Sequence, residues 1–384
     1  MINIKLSSFL DRVLSGDYII SLEVDSIVDK IFIIEDKFLD GSVPHFIVNP
    51  KSSGDRQMGI KKGFKELVSL LRPLGFLPSI EWIVGKYHVT ITKRVTLSRR
   101  SVDRNIILLA LTIITIFIDG YIRSSNPILT DWLMKGTPAF LNALLFTVGI
   151  LLIFGVHELG HKLISDKQGI LASLPYFIPS WPGLGGTFGA VIIQEEPPIN
   201  RDDLWDLGFS GPLFGFIATI FIGIAGMILS FVIPIQEVSN WMVKYPEIRF
   251  QQIPMPLILV TLQNIFRQTP DGTALILHPV AFAAWVGCLV TFVNLMPAWQ
   301  LDGGYVIRSL VGKETHKIVS ACGILMMALS GFVFMAVIVA FFMIYGGEPI
   351  KPLDDVSPLS NSRKLGMLIY LTLMMVNLIS LLPT

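Results

Sequence analysis

The sequence predicts a polytopic α-helical membrane protein, with about six transmembrane helices and a small N-terminal α+β cytosolic domain. Three observations lead there. Hydrophobic residues make up 52% of the 384 and charged ones only 15%, with a mean hydropathy of +0.64, too apolar for a soluble protein of this length. The charges are crowded at one end: residues 1–104 hold 16 Lys/Arg and 12 Asp/Glu, 28 of the 59 in the chain. Beyond them lie six apolar stretches of the length that crosses a hydrocarbon core, roughly 17–25 residues or more.

Within residues 1–104, Ile31-Phe32-Ile33-Ile34, His45-Phe46-Ile47-Val48 and Tyr87–Thr92 have the composition of short strands. Lys61–Arg72 instead sets Phe64, Leu67, Leu70 and Leu71 at helical spacing, so a small α+β unit is expected. His45 and His88 read as ordinary strand or surface residues. No positive segment followed by an apolar core opens the chain, so no cleaved signal peptide is expected.

The six stretches are Ile106–Ile122, Pro138–Val156, Leu207–Ile235, Val280–Met296, Ile318–Tyr345 and Leu365–Leu382. The first is the weakest, being short and interrupted by Asp119. Lys93, Arg94, Arg99, Arg100 and Arg104 precede it, which by the positive-inside rule puts the N-terminal domain in the cytoplasm. An even number of spans returns the C-terminus to the same side. In that topology the inner connections add Lys162, Lys167, Arg201, Arg308, Lys313 and Lys317 to reach eleven cations, against eight outside. The expected location is therefore a cell membrane, multi-pass. A net charge of +1 argues against a nucleic-acid partner. Cys288 and Cys322, the only two cysteines, fall inside apolar spans and read as inert packed thiols.

The second stretch runs into His157-Glu158-Leu159-Gly160-His161. A helix turns about 100° per residue, so His157 and His161 share a face one turn apart and can hold one metal ion together. This is the helical zinc site of a metalloprotease, with the glutamate as its base. Ionisable groups at membrane depth cost about 2.5–3.5 kcal/mol each by insertion scales, so they call for a functional or paired explanation. A catalytic zinc takes three protein ligands and keeps one open position. The candidate for the third is Asp302, in Asn294-Leu295-Met296-Pro297-Ala298-Trp299-Gln300-Leu301-Asp302-Gly303-Gly304. There Pro297 ends a helix and the paired glycines permit close backbone approach. The competing reading of this segment is a span ending in a Pro/Gly turn with a solvated Asp. In the expected topology the fourth span returns this segment to the same cytoplasmic depth as the histidines.

These two motifs together resemble the site-2 protease family of intramembrane zinc metalloproteases, over roughly residues 138–320. The resemblance implies a Zn2+ cofactor bound by His157, His161 and Asp302, Glu158 as the group that activates water, and Asn294 as the residue that steadies the reacting peptide. It divides the chain into a soluble cytosolic domain, residues 1–104, and a membrane-embedded metalloprotease domain, residues 105–384, with its active site toward the cytoplasm. The partners it implies are membrane-protein substrates with a transmembrane helix, in a lipid bilayer. Asn294 has a second reading as interhelical glue. One departure is visible: family members often carry histidine after the paired glycines, where this chain has Tyr305.

Between the second and third spans, the stretch from Pro182 to Ile193 is too apolar for a plain loop, too glycine-rich for a helix, and lacks the Gly-Lys-Ser/Thr ending of a phosphate cradle. In similar proteases the corresponding segment is a strand or re-entrant hairpin, so Gly186, Thr187, Phe188 and Gly189 are candidate substrate-binding residues, offering a strand edge to an unwound substrate. A merely structural loop is the alternative.

Other residues read more plainly. Gly208, Gly211 and Gly215 form a close-packing helix face. His278 is a helix-entry residue, His316 a solvated residue of a basic connection, and Glu195 with Glu196 a solvated pair. Met326, Met327, Met335 and Met343 are lipid-facing or gap-filling. Two other functions remain compatible with the histidine motif. One is a prenyl-protein or quality-control membrane protease, which usually draws its third ligand from a glutamate on a later helix; the other is a non-catalytic metal-binding transporter.

Overall fold

The structure, a computed structural model, describes residues 16–40, 43–51, 55–94, 102–183, 185–248, 250, 252–347 and 351–378. Arg99, Arg100, Arg249, the first residues of the chain and the end of the sixth apolar stretch lie outside these. The chain forms two compact units. The first comprises Met1–Ser98, Pro197–Asp203 and Lys351–Leu359; the second comprises Arg99–Glu196, Leu204–Ile350 and Ser360–Thr384.

In the first unit, α1 (Gly16–Ile31) leads into β1 (Phe32–Asp40) and β2 (Val43–Pro50), then α2 (Arg56–Leu71), β3 (Phe76–Ile83) and β4 (Lys86–Lys93). The strands form an antiparallel sheet in the order β1-β2-β4-β3. Helix α2 starts where the Asp55 side chain accepts the Gln57 N–H, and it buries Ile60, Phe64, Leu67, Val68 and Leu71. Such a cap is typical of helix starts. Leu70, expected on that face, is instead exposed, and Val68 takes its place. Along β4, Tyr87, Val89 and Ile91 point inward, the period-2 alternation of a half-buried strand.

Two segments from far downstream complete this unit. Ile80 on the edge strand β3 donates its N–H to Leu353 O at 2.8 Å, and Leu353 and Asp354 donate theirs to Pro198 O and Ile199 O at 2.9 and 2.8 Å. Ile199 and Leu353 join the same apolar core as Phe32, Phe46 and Phe64. Lys61 pairs with Asp202 at 2.8 Å and donates to Pro358 O at 3.0 Å.

The second unit is mostly helical. Among the described residues three helices are long and apolar enough to cross a membrane: α3 (Val102–Ser124), α4 (Ala139–Lys167) and α5 (Arg201–Leu229). The weakest of the six expected spans is thus one of these three. Its interrupting Asp119 is paired, accepting from Arg123 Nε at 3.1 Å and from the Gly183 N–H at 2.7 Å. The remaining apolar helices are shorter. The 16 residues of α8 (Pro279–Asn294) extend about 24 Å, less than the ~30 Å of a hydrocarbon core.

The expected fifth span is two helices, α10 (Lys313–Leu329) and α11 (Val333–Tyr345). They are broken by Gly331 at φ 87°, with the Phe332 N–H on Met327 O and the Gly331 N–H on Ala328 O. This is a Schellman ending, which needs the left-handed conformation glycine accepts. The sixth stretch contributes α12 (Asn361–Val376). Elements that were not expected include α1 and β3 of the first unit and, in the second, α6 (Ile235–Lys244), α7 (Leu257–Phe266) and a hairpin of β7 (Phe231–Pro234) with β8 (Thr273–Ile276).

A second hairpin pairs β5 (Tyr176–Pro179) with β6 (Thr187–Val191), placing Phe177 opposite Ala190 and Ile178 opposite Gly189. Short helix α9 (Asp302–Leu310) follows α8 after a seven-residue turn.

Candidate metal centre

Helix α4 carries His157 and His161 near its C-terminal end, and α9 opens with Asp302. Between α8 and α9 the chain turns sharply. Pro297 stops the helix, Trp299 takes φ +43°, and Gly303 and Gly304 pass so close to the Leu295 and Trp299 carbonyls that a Cβ would lie 2.3 and 2.1 Å from those oxygens. The turn brings the Asp302 carboxylate to the imidazoles, with Oδ2 3.2 Å from His157 Nε2 and Oδ1 3.3 Å from His161 Nε2. The two Nε2 atoms are 3.1 Å apart.

Zinc at about 2.0–2.1 Å from three tetrahedral ligands would separate the ligand atoms by roughly 3.3 Å, so the spacing fits that ion. The donor chemistry fits too. His161 Nδ1 lies 2.9 Å from Leu207 O; a carbonyl only accepts, so Nδ1 holds the proton and Nε2 offers its lone pair. Among the described residues this trio is the only cluster of three or more His, Cys, Asp or Glu side chains with metal-binding geometry.

Glu158 is buried beside the trio, within electrostatic reach of all three members. The Asn294 amide nitrogen lies 3.5 Å from His157 Nε2, so the last residue of α8 turns its amide toward the cluster. Helix α5 packs directly against the imidazoles, reaching the Nε2 end of His161. A Cβ at Gly211 would stand 2.1 Å from His161 Nε2, one at Gly215 3.0 Å from His157 Nδ1, and one at Gly208 2.7 Å from Asp302 O. The glycine face expected to pack helices therefore packs on the candidate ligands themselves. Tyr305 also meets this helix, with its Cβ 2.7 Å from a Cβ built at Gly208.

The hairpin residues have divided roles. Gly186 O accepts the Thr115 hydroxyl of α3 at 2.7 Å, and Thr187 donates its own to Ile178 O across the hairpin at 2.9 Å. Gly189 backs onto Phe154 of α4, one turn before His157, while Phe188 projects outward toward Trp181 and Phe334. None of the four belongs to the metal-ligating cluster.

Several plain readings need correction. His316 is fully buried, not solvated, with Nε2 3.1 Å from Gly304 O. Arg308, read as a cation of an inner connection, is 1% exposed and donates to Val311 O at 3.1 Å. Glu196 is buried rather than half of a solvated pair. The methionine reading stands, with Met327 filling the core and Met326 exposed. His278 does open a helix, accepting the Val280 N–H at the start of α8. Leu207, whose carbonyl orients His161, carried no signal in the sequence because the contact is made by backbone.

A model of Peptidase family M50 matches residues 145–338, just over half of the chain and inclusive of every residue of the trio. Among curated proteins, the probable zinc metalloprotease EGY2, chloroplastic, of Arabidopsis thaliana is 30% identical over 208 residues, covering 53% of this chain and 35% of its own length. The probable zinc metalloprotease EGY1, chloroplastic, of Oryza sativa subsp. japonica is 26% identical, covering 62% and 41%. The probable zinc metallopeptidase EGY3, chloroplastic, of Arabidopsis thaliana is 24% identical, covering 66% and 45%. The chain thus spans less than half the length of these relatives. No solved structure matches it. With both motifs inside the matched region and their side chains converging in space, the chain belongs to Peptidase family M50, the site-2 protease family.

Proposed function

We propose that this protein is an intramembrane zinc endopeptidase that cuts other membrane proteins within or near a transmembrane segment. The observation that carries the reading is the convergence of two imidazole nitrogens and one carboxylate, from helices far apart in sequence, at mutual distances of 3.1–3.3 Å. His157, His161 and Asp302 would hold the ion. Zinc, when bound, supplies the Lewis acidity that makes water nucleophilic near neutral pH.

The rest of the chemistry falls to the chain. Glu158, adjacent to His157 on α4, takes a proton from the attacking water on its carboxylate and passes it to the departing amine nitrogen. The Asn294 amide donates to the oxygen on which negative charge develops, a contribution of about 2.7–4 kcal/mol in a comparable protease. A helical substrate shields its own amides, and hydrocarbon penalises leaving them unpaired, so the substrate must unwind locally before it is cut. The open edge of the β5–β6 hairpin, with Gly186–Gly189 at its β6 end, supports capture of such an extended segment by main-chain hydrogen bonds.

The same proposal assigns residues 1–104 to a cytosolic domain and 105–384 to a multi-pass membrane domain, its catalytic core about 138–320, its N-terminus and active site toward the cytoplasm of a cell membrane. Residues 351–359, which six full crossings would leave outside, pair with β3 and so lie on its side, with α10 and α11 broken at Gly331 instead of making one crossing. The cations before α3 support that orientation.

The test is reconstitution with a panel of single-span peptides, comparing wild type with Glu158→Gln and locating the cut by mass. Wild type should cleave and Glu158→Gln should not, while both retain zinc. Equal cleavage by the two proteins would refute the assignment. Asp302→Ala separates this class from membrane proteases that use a late glutamate, because it should empty the site of zinc.

A further inference from the structure

Resting on the metal-centre reading, we propose that His316, together with Ser320 and Gly323 on the same face of α10, is the positioning device that sets the Asp302 carboxylate. The turn from Leu295 to Gly304 is an awkward piece of backbone. A non-glycine residue sits at φ +43° at Trp299, a strained conformation that persists only when its surroundings over-determine it. Helix α10 provides that restraint from three residues on one face, one turn apart in succession. His316 Nε2 lies 3.1 Å from Gly304 O, the Trp299 N–H donates to Ser320 Oγ at 2.9 Å, and Gly323 lets Pro297 O within 2.7 Å of where a Cβ would be. Ser320 Oγ is also 3.4 Å from His316 Nε2, and the imidazole is inclined by 27° to the Trp299 ring, its centroid 6.2 Å away.

The tautomer follows from the partner. Gly304 O can only accept, so Nε2 donates and the proton is committed there. That leaves Nδ1 buried with no hydrogen-bond partner, an expense that a leucine or phenylalanine in the same space would avoid. The arrangement is intelligible if the Nε2–H bond itself is what the position requires. Gly304 lies in the first turn of α9, two residues from Asp302. A rotation of about 10° around the axis of α9 would carry a carboxylate oxygen some 5–6 Å off that axis by about 1 Å. Metal sites tolerate about ±0.2 Å. His316 thus acts through Gly304 on the ligand, the part that hydrogen-bond partners outside the ligand set commonly play.

The experiment uses the whole chain in detergent and compares wild type, His316→Leu, His316→Gln and Ser320→Ala. Zinc affinity is read by chelator competition, ligand geometry by the visible spectrum of the Co(II)-substituted protein, and turnover as kcat and KM on a single-span peptide. His316→Leu should weaken zinc binding roughly 10–100-fold, alter the Co(II) spectrum, and lower kcat with little change in KM. His316→Gln, whose amide nitrogen reaches as far as Nε2, should recover affinity and spectrum to near wild type. Ser320→Ala should move both in the direction of His316→Leu, by less. Wild-type affinity and spectrum in His316→Leu, or a Gln variant no better than Leu, would overturn the proposal. If His316→Leu does not fold, Ser320→Ala decides: weakened zinc binding supports the proposal and unchanged binding refutes it. A wild type that binds zinc yet cuts no peptide would defeat the proteolytic reading alone, since affinity and spectrum still judge His316.

Discussion

Gly211→Ala sets helix propensity against ligand geometry. In a helix interior alanine is favoured over glycine by about 0.8–1.0 kcal/mol, so on backbone grounds α5 should gain stability. The added methyl, however, would stand 2.1 Å from His161 Nε2, 2.5 Å from Cε1 and 2.6 Å from Cδ2. Ordinary carbon contacts are about 3.5–4.0 Å, so the imidazole must retreat by well over 1 Å, several times the ~0.2 Å that metal coordination tolerates. The ring has little freedom to do so, because its Nδ1 is held at 2.9 Å by Leu207 O, one turn earlier on the same helix. Disturbing groups that merely support ligands costs 10–100-fold in metal affinity; displacing a ligand should therefore cost more than about 100-fold. The assay is zinc content by plasma mass spectrometry in chelator-buffered metal, run beside thermal unfolding of the metal-free protein. Gly211→Ala should hold no zinc at concentrations that saturate wild type, and its metal-free form should melt no higher than wild type, because crowding the ring costs about 1–3 kcal/mol and offsets the propensity gain. Gly155→Ala, where a Cβ meets nothing within 4 Å, should keep its zinc. Wild-type affinity in Gly211→Ala would refute the claim that α5 abuts the ligands.

Other substitutions probe the remaining parts. Gly215→Ala, with its methyl 3.0 Å from His157 Nδ1, should weaken zinc binding less than Gly211→Ala in the same titration. Arg123→Met strips the cation from Asp119, whose side chain is 2% exposed; leaving a buried charge unpaired costs about 3–5 kcal/mol. The double variant Asp119→Asn/Arg123→Met should recover much of that loss in a thermal melt. Asp354 in the first unit is pushed by burial above the ordinary carboxylate range, despite donors from Ser357 and Val356. A raised folded-state value gives stability that is present in acid and lost as pH climbs through it. Melting of the first unit should therefore fall on going from acid toward neutrality, and Asp354→Asn, which keeps the acceptor, should flatten that slope.

The legibility of this chain divides by the kind of signal. Side-chain chemistry at helical spacing was visible: His157 and His161 share a face by periodicity alone, and the helix-breaking run from Pro297 to Gly304 marked where a third donor could approach. Parts of β1, β2 and β4 were legible from their composition, with alternation clear at Tyr87, Val89 and Ile91, whereas β3 was not anticipated. What hydropathy could not separate is one long apolar run from two. Residues 318–345 stay apolar through the break at Ser330-Gly331, and only the glycine hints at it. Likewise Asp119 weakened the first span on composition, because its partners Arg123 and Gly183 reveal themselves only after folding. The burial of His316 was illegible for a related reason: a basic, polar helix start reads as solvated until a carbonyl from another turn fills the space beside it.

The first unit is not a contiguous length of chain, and this governs how it can be handled. A fragment ending before α3 would lack residues 197–203 and 351–359, leaving the Ile80 amide on the outer strand without its partner and removing Ile199 and Leu353 from the interior. Naked strand edges template pairing with other molecules, so such a fragment should clump at concentrations where the intact protein stays dispersed. Supplying the two missing ribbons, by short designed loops in a single polypeptide, is the route to a well-behaved version for ligand screening.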